Sequence, residues 1–141
     1  LTSWSSITKW SQNYAIYWDG DLEQEILDRN MIDKYKEGRL FNAPGVSYNN
    51  GTKANTSLTA DILGDWREEM IFPTTDGSSL RVFTTTYETD YRIFTLMHDT
   101  QYRCQAAAQN VAYNQGAYTS FFLGTGYDLP GMPDIETVRA E

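Results

Sequence analysis

The sequence predicts an all-β chain assembled from short antiparallel strands. Three observations carry that prediction. Short apolar and aromatic runs alternate with turn-forming clusters of Asp, Gly, Asn, Ser and Thr. Helical periodicity is thin along the 141 residues. An internal echo sets Gly20-Asp21-Leu22-Glu23-Gln24-Glu25-Ile26-Leu27 against Gly64-Asp65-Trp66-Arg67-Glu68-Glu69-Met70-Ile71, 44 residues further on. Repeats of roughly 40–50 residues holding several strands each suggest β-propeller blades.

Taken in order, Ile16-Tyr17-Trp18, Glu25-Ile26-Leu27 and Met31–Tyr35 read as three strands broken at Asp19-Gly20-Asp21 and Asp28-Arg29-Asn30. A short helix over Leu22–Leu27, capped by Asp21, is the competing reading. Residues 38–60 are rich in Gly, Asn, Ser and Thr, and predict a long surface loop entering a strand near Leu58–Leu63. Glu69–Phe72 and Leu80–Thr86 flank Asp76-Gly77, which marks a hairpin. Tyr91–Thr95 is a further strand, Tyr102–Gln109 one or two helical turns, and Phe121–Leu123 a last strand before the tail. This gives about two blades plus a closing strand over residues 1–125, and a tail over 126–141. A propeller needs at least about four blades to close, so the chain is expected to be a piece of something larger.

Composition narrows the function. Nineteen acidic against eleven basic residues give a formal charge of -8, and no Lys or Arg cluster offers a phosphate-binding surface, so nucleic acid is excluded as a partner. No apolar run approaches the roughly 20 residues that span a bilayer, which argues against a membrane partner. One cysteine, Cys104, forbids an intrachain disulfide, and one histidine, His98, forbids the H-E-x-x-H metalloprotease pattern.

Three constellations remain. Asn49-Asn50-Gly51-Thr52-Lys53 lies in the long loop, where Asn-Gly favours a tight turn that projects polar groups outward, suited to sugar hydroxyls or a uronate carboxylate. An ordinary solvated turn is the plainer reading. Asn50-Gly51-Thr52 and Asn55-Thr56-Ser57 also match the weak glycosylation pattern. Asp19, Asp21 and Glu23, then Asp61, Asp65, Glu68 and Glu69, could supply oxygens to a hard cation such as Ca2+, or simply cap turns and strands. Gln109–Gln115 brings neutral amide oxygens and the aromatic face of Tyr113. His98-Asp99 could pair a base with an acid, but strand neighbours point to opposite faces, which favours a structural histidine.

The run Asn50-Gly51-Thr52, then Ala60-Asp61-Ile62-Leu63-Gly64-Asp65-Trp66-Arg67-Glu68-Glu69, closely resembles the family 11 polysaccharide lyases, the bacterial rhamnogalacturonan lyases. Thr84-Thr85-Thr86, Tyr91–Asp99, Tyr102-Arg103, Gln109–Gln115 and Phe122-Leu123-Gly124 extend the likeness over nearly the whole chain. It departs at Phe72, where many relatives have Trp, and at Gly116-Ala117, where they have Pro-Pro. The likeness falls on the C-terminal part of the family's catalytic domain.

The resemblance implies an eight-bladed β-propeller carrying calcium, of which this chain would hold the C-terminal blades. It implies β-elimination of the rhamnose–galacturonate backbone of rhamnogalacturonan I, in pectin, by a secreted endolyase or exolyase. It implies substrate contacts from Asn50, Gly51, Thr52 and Tyr113, and calcium ligands from Asn110, the Ala112 carbonyl and Asn114. The missing N-terminal portion of the same protein would be a partner. The resemblance places no catalytic base in this chain, where Lys53, His98 and Tyr113 are the possible proton acceptors. A non-catalytic carbohydrate-binding or structural propeller segment is the alternative.

Overall fold

A computed structural model describes residues 12–51, 53–111 and 115–138. Its strands form two antiparallel meanders. The first is β1 (Tyr14–Ile16), β2 (Glu25–Asp28), β3 (Met31–Lys34) and β4 (Gly38–Asn42). The second is β5 (Leu58–Ala60), β6 (Glu69–Pro73) and β7 (Leu80–Phe83). A 3-10 turn, Leu96–His98, leads into helix α1, Thr100–Ala108.

The internal echo is structural. β1 and β5 start 44 residues apart, at Tyr14 and Leu58, and so do β2 and β6, at Glu25 and Glu69. Gly20 and Gly64 occupy the same place before the second strand, with φ of 90° and 81°. Only glycine holds such a backbone cheaply. The register of the repeat breaks at the next hairpin, where Thr74–Ser79 makes a longer turn around Asp76 and Gly77.

Five expectations change. Residues 38–42 form β4, not the start of a loop. Lys36 and Gly38 take positive φ, and a register shift at Ile32/Asp33 lets the returning chain pair with β3. β5 ends at Ala60, because the backbone N–H groups of Ile62 and Leu63 turn inward to the Glu69 carboxylate. β7 ends at Phe83, and Tyr91–Thr95 forms no strand; Tyr91 and Ile93 pack on the core instead. Phe121–Leu123 carries no strand, and its Phe121 ring packs edge-on against Phe94 at 5.7 Å. The helix is found nearly where expected, capped by Asp99, whose carboxylate accepts from Gln101 N–H at 3.0 Å.

The alternation of each strand decides the packing. Tyr14, Ile16, Leu27 and Ile32 of the first sheet meet Met70 and Phe72 of the second across one apolar layer. A second layer, with Trp66, Leu96 and Tyr102, is closed by the 3-10 turn and α1. Tyr17 and Trp66 stack edge to face within it, at 5.8 Å.

Gly20 and Gly64 separate conformation from crowding. A Cβ on Gly20 would stand 2.6 Å from the Glu88 carbonyl oxygen, while one on Gly64 would meet only Thr95 at 3.8 Å. Gly64→Ala is expected to cost about 1–2 kcal/mol for its left-handed backbone. Gly20→Ala is expected to cost clearly more, since a backbone carbonyl must also move. Urea unfolding of the two variants checks this, and equal losses would refute it.

Candidate functional site

The loop flagged in the sequence is a small closed hairpin. Asn49 N–H donates to the Asn55 carbonyl at 2.8 Å, and Asn55 N–H returns the bond at 3.1 Å. Asn50 opens the tip with φ 53°, and Gly51 is exposed with open space around it. Thr52 lies outside the described residues. The base is pinned by Asn49, whose amide donates to the Thr56 carbonyl, and by Ala54, whose carbonyl accepts from Arg29 N–H.

Asn55 is 1% exposed and ties this hairpin to two other segments. Its Nδ2 donates to the Tyr14 hydroxyl at 3.2 Å and to Asn110 Oδ1, and its Oδ1 accepts from Asn50 Nδ2 at 3.3 Å. Asn110 in turn donates to the carbonyls of Thr56 and Ser57, at 3.2 and 3.0 Å. Gln109 makes a two-way link with the Thr59 backbone, at 2.9 and 2.6 Å. The segment after α1 is therefore stapled to the hairpin, so Asn50 and Asn110, 60 positions apart, share one amide cluster. Ala112, Tyr113 and Asn114 follow directly and lie outside the described residues. The glycosylation reading fails at Asn55, which is buried. Nothing in the sequence pattern announces its role.

The possible proton acceptors separate. Lys53 is exposed on the hairpin. His98 is exposed on the 3-10 turn before α1, whereas Asn110 follows α1, roughly 13 Å of helix away. Asp99 does not orient His98, because its carboxylate caps α1 and accepts from Ser120 N–H.

The acids form two other groups. Asp19, Asp21 and Glu25 bring one oxygen each within 4.8 Å of one another. Glu25 takes the place expected of Glu23, which accepts from Thr125 N–H instead, at 2.9 Å. The Lys34 ammonium lies between Asp19 and Asp21, and 3.6 Å from Glu25 Oε1. That oxygen is buried without a hydrogen bond. Burial, with Asp19 beside it, pushes the Glu25 carboxyl up to about 8. Burial opposes the Lys34 charge, but hydrogen bonds to Asp19 and Asp21 outweigh it and hold the ammonium above its ordinary value.

Asp61, Glu68 and Glu69 are fully buried but are not gathered into one cluster of ligand oxygens. Asp61 accepts from Gly64 and Leu96 N–H and from the Thr95 hydroxyl. Glu69 accepts from Ile62 and Leu63 N–H. Glu68 accepts from Tyr102 OH at 2.6 Å and from Tyr17 N–H at 2.9 Å. These are internal fastenings. Asp65 pairs with Arg67.

The chain is thus a repeated-meander β protein whose polar machinery divides into a neutral amide cluster and separate acidic fastenings. It belongs to the family described as rhamnogalacturonan lyase family 11, whose C-terminal domain it matches over residues 3–133. The rhamnogalacturonan endolyase YesW of Bacillus subtilis (strain 168) is 52% identical over 132 residues, which is 90% of this chain and 21% of that protein. The rhamnogalacturonan exolyase YesX of the same organism is 48% identical over 138 residues, 89% of this chain and 22% of that one. The solved Bacillus licheniformis rhamnogalacturonan lyase PL11 superposes with a TM-score of 0.85 at 52% identity, over 90% of this chain and 23% of that one. The chain therefore spans about a fifth of the length of these relatives.

Burial raises the Glu68 carboxyl to about 7, against partial relief from Tyr102 OH and Tyr17 N–H. A folded-state value above the unfolded 4.5 means that the native chain binds the proton more tightly. This contribution to stability is complete below the unfolded value and is lost as pH rises through about 7. The stability difference between wild type and Glu68→Gln is expected to change with pH across that window. Urea midpoints at several pH values test it, and a flat difference would refute it.

Proposed function

We propose that the chain is the C-terminal portion of a secreted rhamnogalacturonan lyase and forms one side of its substrate cleft. The observation that carries this reading is the amide cluster, which joins the exposed Asn50-Gly51 hairpin to the segment leading into Tyr113. Neutral carboxamides recognise sugar hydroxyls and a uronate carboxylate without adding charge repulsion, and Tyr113 would supply a stacking face. The family membership and the printed activities of the relatives support the same substrate.

The reaction is β-elimination. A base takes the proton from C5 of galacturonate, the electron pair forms the C4–C5 double bond, and the 4-linked oxygen leaves with the rhamnose-bearing chain. Asn50, Gly51 and Thr52 would hold the sugar so that the C5 proton faces the base. No residue of this chain is assigned as that base.

Calcium, when bound beside the uronate, would offset its charge and the enolate-like charge that develops. Asn110, the Ala112 carbonyl and Asn114 are the proposed ligands there. Asp19, Asp21 and Glu25 form a second all-oxygen set of the kind a hard cation takes, and a cation there would have to displace the Lys34 ammonium that pairs with all three. It lies past the far end of β1 from Tyr14, so its cation would be structural. The Lys34 ammonium stands where that cation would sit.

The two meanders in 44-residue register support the reading of propeller blades. β7 supports the reading of a missing portion: Leu80 and Val82 are 68% and 57% exposed on an edge strand, a surface that soluble proteins ordinarily cover. A polysaccharide substrate too large to enter a cell supports the reading of a secreted enzyme.

The test uses the full-length parent protein on rhamnogalacturonan I, with calcium. Product absorbance near 235 nm is expected, and its absence would refute the lyase reading. Asn50→Ala should lower kcat/KM by about 10- to 100-fold, the worth of a hydrogen bond to a charged group. Calcium should raise the melting temperature of the parent protein, and Glu25→Gln should reduce that rise. An unchanged calcium response in the variant would remove Asp19, Asp21 and Glu25 from consideration as ligands.

A further inference from the structure

We propose that Asn55 is a positioning residue for the substrate loop. Its buried carboxamide would fix Asn50, at the hairpin tip, against Asn110 in the turn after α1. The inference rests on the lyase reading above.

The argument is one of inventory. A carboxamide has two N–H donors and one oxygen with two acceptor sites. Asn55 spends both kinds on separate segments: β1 through the Tyr14 hydroxyl, the post-helical turn through Asn110, and the hairpin tip through Asn50. These lie 41, 55 and 5 residues away in the chain. Asn55 is also the closing residue of the hairpin, through its two backbone bonds with Asn49. Asn50 itself sits at φ 53°, a left-handed turn conformation that asparagine tolerates, and its side-chain amide donates to the Asn55 oxygen. Every other partner of the joint is also fixed. Tyr14 is 1% exposed in the core, and Asn110 is held by two carbonyls.

No common replacement reproduces this. Ionised Asp keeps the acceptor for Asn50 but loses both donors and turns an anion towards Asn110 Oδ1. Ala leaves the three groups without their joint. Gln places the amide one methylene too far at a position that is buried. A residue that merely filled space would not distinguish Ala from Asp by pH, whereas this joint does. A buried Asp regains one donor when protonated, so its defect should ease in acid.

The experiment uses the full-length parent protein with rhamnogalacturonan I oligosaccharide. Asn55→Ala is expected to raise KM about tenfold while kcat changes by less than about threefold, since the loop would lose its aim before substrate binds. Asn55→Asp should show the same KM defect at pH 8 and recover towards wild type as pH falls, measured as the ratio of variant to wild-type KM. Tyr14→Phe, which keeps two of the three links, should give a smaller KM rise. Hydrogen exchange of backbone amides in 49–54 should quicken in both Asn55 variants, and this readout does not depend on activity. Unchanged exchange overturns the proposal. So does a lowered melting temperature with wild-type KM, which would leave Asn55 structural only. Should Asn55→Ala not fold, Asn55→Asp and Tyr14→Phe carry the same comparison. A wild-type parent that yields no product at 235 nm refutes the lyase reading. An active parent with indifferent Asn55 variants refutes only the positioning role.

Discussion

Glu68, just before β6, and Glu69, its first residue, hold the molecule together through buried carboxylates. Glu68 accepts from Tyr17 N–H and Tyr102 OH, and its own N–H donates to the Tyr17 carbonyl at 2.9 Å. This binds the chain leaving β1 to the second sheet and to α1. Glu69 gathers the turning backbone at Ile62 and Leu63, and the Thr84 hydroxyl beyond β7. Both carboxylates lie in a setting that opposes their charge, and burial raises both carboxyls. Such a group is tolerable only where fixed donors replace water. The fastening is therefore conditional. It organises the fold because the donors come from four segments of the chain, those after β1, β5 and β7 and helix α1, and any segment that drifts leaves a buried oxygen bare.

The amide cluster depends on that fastening through α1. Tyr102 locks the helix beneath Asp61 and Glu68, and the helix then delivers Gln109 and Asn110 to β5 and the hairpin. From there the links are neutral. A loop that would otherwise be mobile is held by hydrogen bonds from three directions, at little electrostatic cost. Order is thus passed from a charged core to an uncharged surface, and the surface is where the sugar would lie.

The sequence showed the parts of this that are local and concealed the parts that join distant residues. The 44-residue echo revealed both first hairpins, because Gly, Asp and Glu recur where a left-handed turn meets a new strand. The Asp76-Gly77 turn was readable for the same reason. β4 was not, since Gly38–Asn42 carries no β-branched residue and is placed by the turn before it and by the register shift in β3. Tyr91–Thr95 has the composition of a strand, but Tyr91 and Ile93 are consumed in packing beside Trp66 and Leu96. Asn50 and Asn110 were singled out by the family likeness. Asn55 was passed over as a weak modification pattern, because its meaning lies in contacts 41 and 55 residues away. Among the acids, spacing suggested Glu23. The strand start instead turned Glu25 inward, and no periodicity foretold Lys34 between Asp19 and Asp21.

The excess of acid, a formal -8, first looks hostile to a polyuronate. The arrangement of the charges removes much of that difficulty. Asp61, Glu68 and Glu69 are buried, and hydrogen-bond donors hold them. Asp19, Asp21 and Glu25 face Lys34 past the far end of β1, while Asp33 pairs with Arg39 and Asp65 with Arg67. What gathers at the hairpin is Asn49, Asn50, Asn55 and Asn110, with Lys53 at the tip. Screening at physiological salt confines charge effects to about 8 Å, so local composition matters more to a bound sugar than the net charge does. Under the proposed lyase reading, a neutral amide surface would receive the carboxylate, while these acids are engaged by donors and cations elsewhere in the fold.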